Sequence, residues 1–109
     1  MDIVASGRKV NIAMVRGDSE SLTVSCSVPF AEGDTLYMTV RDTVEGSIQL
    51  QKVITVFDSG SAIIPIEPGD TSGMAFGDYV YDIQITRAGG VVTTPVEVSR
   101  FRLKEEVTY

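Results

Sequence analysis

The chain has 109 residues, with 9 lysines and arginines against 15 aspartates and glutamates, a net charge of −6. A chain this short holds one modest core, and one this acidic lacks the basic surface that nucleic-acid phosphates or an anionic membrane would require. Its composition is ordinarily globular, no apolar run approaches the roughly 20 residues of a membrane helix, and the single cysteine, Cys26, excludes an internal disulfide.

Taken in order, the N-terminal Met1-Asp2-Ile3-Val4-Ala5-Ser6 has no basic stretch followed by an apolar run, so no signal peptide is expected. Synthesis and folding in the cytoplasm follow as the expectation. Lys9 to Val15 alternates, with Val10, Ile12 and Met14 on one face, and reads as a first strand. Arg16-Gly17-Asp18-Ser19 gives a turn. Ser21 to Val28 is the second strand, with Leu22, Val24, Cys26 and Val28 inward, ended by Pro29.

Thr35 to Asp42 is the third strand. Leu36, Met38 and Val40 point in; Tyr37, Thr39 and Arg41 point out. Ile48 to Phe57 reads as one or two edge strands, with a change of phase near Lys52-Val53 that suggests a bulge or break. Asp58-Ser59-Gly60-Ser61 is a turn, and Ala62 to Ile66 a short apolar strand closed by Pro65 and Pro68. Glu67 to Met74 allows one helical turn and no more, being rich in glycine and proline.

The longest clean alternation is Phe76 to Arg87. Tyr79, Tyr81, Ile83 and Ile85 share one side; Val80, Asp82, Gln84 and Thr86 share the other. This is the expected central strand. Ala88-Gly89-Gly90 makes a tight hairpin, and Val91 to Leu103 returns, with Val92, Val96, Val98, Phe101 and Leu103 as core candidates and Pro95 at a bend or edge. Seven or eight short strands separated by turn signals predict an all-β fold, an antiparallel immunoglobulin-like β-sandwich without a disulfide, forming one domain over residues 1–109. Tyr79 stands where such domains place a tyrosine corner, and Tyr81 is expected to fill the bridging-cysteine position, facing Cys26.

Little in the chain points to chemistry. There is no histidine, which removes the commonest general base and metal ligand. Cys26 on an inward face reads as an inert core thiol. Asp78 and Asp82 share a strand face but stand roughly 13 Å apart, beyond the about 9.5 Å limit of a glycosidase pair. Asp34, Asp58 and Asp70 could join a calcium site only if their loops cluster, and no dense calcium-loop pattern is present. The expectation is therefore no catalytic, cofactor-binding or metal residues. Arg16, Gly17 and Asp18 spell the tripeptide that integrins recognise on exposed loops; this turn is the binding candidate.

Three stretches carry a resemblance. They are Arg16-Gly17-Asp18-Ser19 before a Leu-x-Val strand, Pro68-Gly69-Asp70-Thr71 before Gly77-Asp78-Tyr79-Val80-Tyr81-Asp82-Ile83-Gln84, and Phe101-Arg102-Leu103-Lys104-Glu105-Glu106-Val107-Thr108. Together they resemble small Ig-like sandwich proteins of tailed phages and prophages, similar to the N-terminal domain of baseplate upper proteins and to other minor tail or neck proteins. The resemblance implies a non-enzymatic virion component that docks onto other phage structural proteins and forms a homo-oligomer, without nucleic acid or membrane as partner. It would be made in the host cytoplasm and then built into the virion. A bacterial surface adhesion or carbohydrate-binding module is the alternative. For docking, Ile48 to Phe57 is the edge expected to be open, because its alternation is broken.

Overall fold

The computed structural model describes residues 1–105. Eight strands and one helical turn follow in order: β1 (Asp2–Ala5), β2 (Ile12–Val15), β3 (Glu20–Cys26), β4 (Thr35–Arg41), β5 (Ile48–Ile54), β6 (Ala62–Ile66), α1 (Pro68–Thr71), β7 (Gly77–Thr86) and β8 (Val92–Lys104). They form two sheets, ordered β1-β3-β6 and β2-β8-β7-β4-β5. The expected all-β sandwich is therefore present, and β7 is the middle strand of the larger sheet.

Each strand buries alternate residues against the facing sheet. Ile3, Leu22, Val24, Ala62, Ile64 and Ile66 come from the small sheet. Ile12, Leu36, Met38, Val40, Tyr81, Ile83, Ile85, Val96, Phe101 and Leu103 come from the large one, and all join one cluster. Such burial is the main favourable term in folding. Tyr81 is 1% exposed. Its hydroxyl donates to the Val10 carbonyl and its ring meets Phe101 edge-on, 6.2 Å between centroids. Tyr79 Oη donates to the Ala75 carbonyl at 2.7 Å, four residues upstream. That bond is the tyrosine corner the sequence suggested.

The structure corrects several local expectations. β1 is a strand that four residues were too few to announce; it runs parallel to β3, with Ile3 beside Val24 and Ala5 beside Cys26. β2 likewise runs parallel to β8. β3 stops at Cys26, leaving Val28 62% exposed. Its carbonyl is taken instead by Arg87 Nη2 at 3.0 Å, which pulls the following loop away from the sheet. Pro65 does not close β6 but lies inside it, opposite Ser21. β6 is an edge strand, where a missing ladder donor is tolerated.

β8 changes phase twice against β7. The register jumps between Tyr81/Ser99 and Ile83/Val96, and again before Ile85/Thr93. The first jump turns Glu97 and Val98 both outward, so Val98 is exposed and not core. Ser99 Oγ donates to the Glu97 carbonyl at 2.7 Å and accepts from Val10 N–H at 3.0 Å, fastening the bulge. Val92, also expected in the core, is 54% exposed. β5 shows no break at Lys52. Its register shift lies opposite Val40/Arg41, and Lys52 occupies an inward position opposite Met38. A charged residue at an inward site mimicked a phase change.

The turn after β2 is fixed by α1. Gly17 has φ 84°, a left-handed conformation natural to glycine. Its N–H donates to Thr71 Oγ1 at 2.9 Å, and Thr71 is fully buried. Thr71→Val keeps the shape and removes the acceptor, leaving a half-buried N–H unpaired. We expect a loss of about 1–3 kcal/mol in urea unfolding, with little change in m-value.

Candidate functional site

The outer face of the large sheet is where polar side chains gather. Because Leu36, Met38 and Val40 of β4 and Tyr81, Ile83 and Ile85 of β7 turn inward, Tyr37, Thr39 and Arg41 turn out beside Val80, Asp82 and Gln84. Register then decides who meets whom. Thr39 lies between Gln51 on β5 and Asp82 on β7; Tyr37 lies between Val53 and Gln84. Tyr37, Thr39, Arg41, Gln51, Asp82 and Gln84 line a shallow depression of ≈ 370 Å³.

The depression holds a mixed set of donors and acceptors. Gln51 Nε2 donates to Thr39 Oγ1 at 3.0 Å, and Arg41 Nη1 donates to the Gly46 carbonyl at 2.8 Å. The Asp82 carboxylate accepts no hydrogen bond and forms no salt bridge among the described residues. Its partial burial pushes the carboxyl above its ordinary pKa, and the charge of Arg41 opposes that shift without cancelling it. The group is thus a half-buried acceptor with its lone pairs unused.

The free edge beside this face is β5, last in the sheet order. Its Ile48 and Val53 are 48% and 51% exposed. Lys52 does not guard this edge. Its Nζ reaches Asp70 Oδ2 at 2.6 Å, and the same oxygen accepts from Glu67 N–H at 2.7 Å. Burial alone would raise the Asp70 pKa, but the Lys52 bond and the Glu67 N–H outweigh it and the carboxyl ends below its ordinary value.

Residues singled out in the sequence lie elsewhere. Arg16, Gly17 and Asp18 sit at the α1–β7 junction and are not brought to the sheet face. Arg16 Nη1 donates to the Met74 carbonyl at 3.1 Å and its guanidinium lies 4.0 Å from the Phe76 ring centroid. Asp18 N–H closes the turn onto the Val15 carbonyl at 3.2 Å. Only Asp18 of the three is exposed. Cys26 is half-buried, not fully inside; burial raises its thiol pKa and the charge of Arg87 opposes this. Asp78 pairs with Arg102 at 2.9 Å, apart from Asp82.

The three loop aspartates do not converge. Asp70 is held by Lys52, Asp58 closes a tight turn with Ser61, and Asp34 is held by Arg87. Among the described residues, no group of three His, Cys, Asp or Glu is placed to hold a metal ion. Around Asp34 the loops form a fastening. Its carboxylate accepts from Ala31 N–H, from Arg87 Nη1 at 2.9 Å and from Ala88 N–H. Arg87 also donates to the Pro29 and Val28 carbonyls and lies 5.3 Å from the Phe30 ring centroid. Phe30 stacks on Phe57 at 4.8 Å. Gly33, at φ 94°, lets the loop approach Ala88; an added Cβ would stand 2.8 Å from the Ala88 Cβ.

The sequence placed Tyr37, Thr39, Arg41, Asp82 and Gln84 on outward faces but did not join them into a site. The missing information was register between β4, β7 and β5, which alternation does not carry. Asp82 was weighed only against Asp78 on its own strand.

No family model matches the chain, and no curated protein matches it. Among solved structures it is similar to CopC from Methylosinus trichosporium OB3b, with a TM-score of 0.54 and 13% identity over 93% of this chain and 91% of that one. Identity that low shows the fold alone. It nevertheless corrects the resemblance to phage and prophage tail or baseplate proteins, since CopC, to which the fold is similar, is not such a protein. The physical reason is visible in the motifs. The Arg16-Gly17-Asp18 turn, the Pro68 to Thr71 turn and the Tyr79/Tyr81 pair are fastenings of the sandwich. The closing Glu106-Val107-Thr108 lies outside the described residues. Such motifs track a build, not a lineage.

Proposed function

We propose that the protein is a non-catalytic binding module that docks a partner protein on the free edge of its large sheet. The partner contributes an extended segment that pairs with β5. The carrying observation is the contrast among the edges. β1 and β2 have four residues each, β6 has five and includes Pro65, and β5 has seven without proline. An exposed edge is a template for strand addition unless a charge, proline or cover blocks it. The only charged residue of β5 is Lys52, and it is drawn inward to Asp70. The half-exposed Ile48 and Val53 offer apolar footholds on either side of Gln51. With a net charge of −6, the module favours a segment that is apolar and neutral or basic.

The test is selection of peptides from a displayed random library on the immobilised protein. Extended apolar or basic peptides are expected to be enriched. Their binding to an Ile48→Lys/Val53→Lys double variant is expected to fall about ten-fold or more, a loss of about 1.4 kcal/mol. Equal binding to the double variant would count against the β5 reading.

A further inference from the structure

The docking reading uses the edge of the large sheet and leaves its face without a role. On that face Asp82 is an accessible, half-buried carboxylate without a hydrogen-bond partner, set in a depression with Tyr37, Thr39, Arg41, Gln51 and Gln84. We propose that this depression is a binding site for a neutral polyhydroxylated ligand, a hexopyranose unit of a glycan, with Asp82 accepting from its hydroxyls and Tyr37 flanking its C–H face.

Three observations lead to that ligand class. First, the polar groups are of mixed kind. A carboxylate, a guanidinium, two carboxamides and a hydroxyl supply both donors and acceptors, as vicinal hydroxyls require. Second, the charges of Asp82 and Arg41 oppose each other across the depression. The site therefore gains little from a fully charged ligand and suits a neutral one. Third, the lining pairs these groups with a single aromatic ring, and an aromatic body takes an apolar surface while its surroundings take the polar one. The register that sets Asp82 opposite Thr39 and Gln84 opposite Tyr37 builds this arrangement on strands, which hold side chains more firmly than loops.

An unpartnered carboxylate kept in a partly desolvated place opposes folding, and such groups concentrate at functional sites. Asp82→Asn should thus leave the melting temperature at neutral pH unchanged or raised, so a loss of binding in this variant is not a loss of fold.

The experiment is an amide chemical-shift titration of the isotope-labelled full chain with glucose, galactose, mannose and N-acetylglucosamine, each in the millimolar range. At least one sugar is expected to shift amides around Thr39, Gln51 and Asp82 in a saturable way. Asp82→Asn and Tyr37→Ala are each expected to weaken that sugar by about ten-fold or more. Asp78→Asn, at an exposed pair with Arg102, should bind as the parent does. Nα-acetyl-arginine amide is the charged probe. Saturation of these amides by that probe and by none of the sugars would overturn the proposal, as would no sugar response at all or full binding by Asp82→Asn.

Discussion

Tyr81→Ala is expected to cost about 3–5 kcal/mol, enough to unfold much of a marginally stable domain of this size. Among the described residues Tyr81 is the largest fully buried side chain, in the middle strand, and its ring is braced edge-on by Phe101. Truncation removes that volume where both sheets meet, leaving a cavity in the core. Tyr81→Phe separates the two parts of the effect. It keeps the ring and deletes only the hydroxyl that donates to the Val10 carbonyl. We expect about 1–3 kcal/mol from that change. Burial raises the phenol pKa. The sign follows: this contribution is whole below the ordinary phenol value and is lost as pH rises through the raised one. Urea titrations of the parent and both variants read all three quantities.

Arg87→Ala is expected to free the β3–β4 loop from the β7–β8 hairpin, lowering stability beyond the ~0.5 kcal/mol of ordinary surface changes. One guanidinium holds the Val28 and Pro29 carbonyls, pairs with Asp34 and covers Phe30, so its loss takes the countercharge and one hydrogen bond from the buried Asp34 carboxylate and opens the loop to water. Arg87→Lys should rescue little, since an ammonium cannot reproduce the planar fork. Asp34 supplies a pH signature. The Ala31 N–H first, then the Arg87 bond, outweigh burial and hold its carboxyl below the ordinary value. Its stabilisation is therefore present above the unfolded carboxyl pKa and is lost as pH falls through the lower folded one. Asp82 runs the opposite way: its raised pKa gives a contribution that is whole at low pH and lost as pH rises through that value. Melting curves below pH 5 should accordingly be flattened in Asp34→Asn, which removes the first effect and leaves the second.

Side-chain alternation carried much of the fold. It placed β7 at the centre and gave the inward and outward faces of β4 and β7 correctly, while β5 is an edge for a reason other than the break in its alternation, which the inward Lys52 only mimicked. Tyr79 was legible as a corner because its hydroxyl bonds locally, four residues back. What alternation does not hold is long-range placement. The parallel pairings of β1 and β2 depend on where distant segments cross. The outward turn of Val98 depends on a bulge fastened by Ser99, and Lys52 faces inward because Asp70 is there to receive it. The binding face failed to emerge for the same reason: Gln51, Thr39 and Asp82 come from three strands and meet only through register.

The central claim is that β5 is an open edge used for docking. The direct measurement is backbone amide hydrogen exchange, strand by strand, with and without a saturating selected peptide. The outward amides of β5 are expected to exchange quickly in the free protein and to be slowed in the complex, while β1, β2 and β6 do not change. Slowing confined to another edge, or to the Arg16–Asp18 turn, would contradict it.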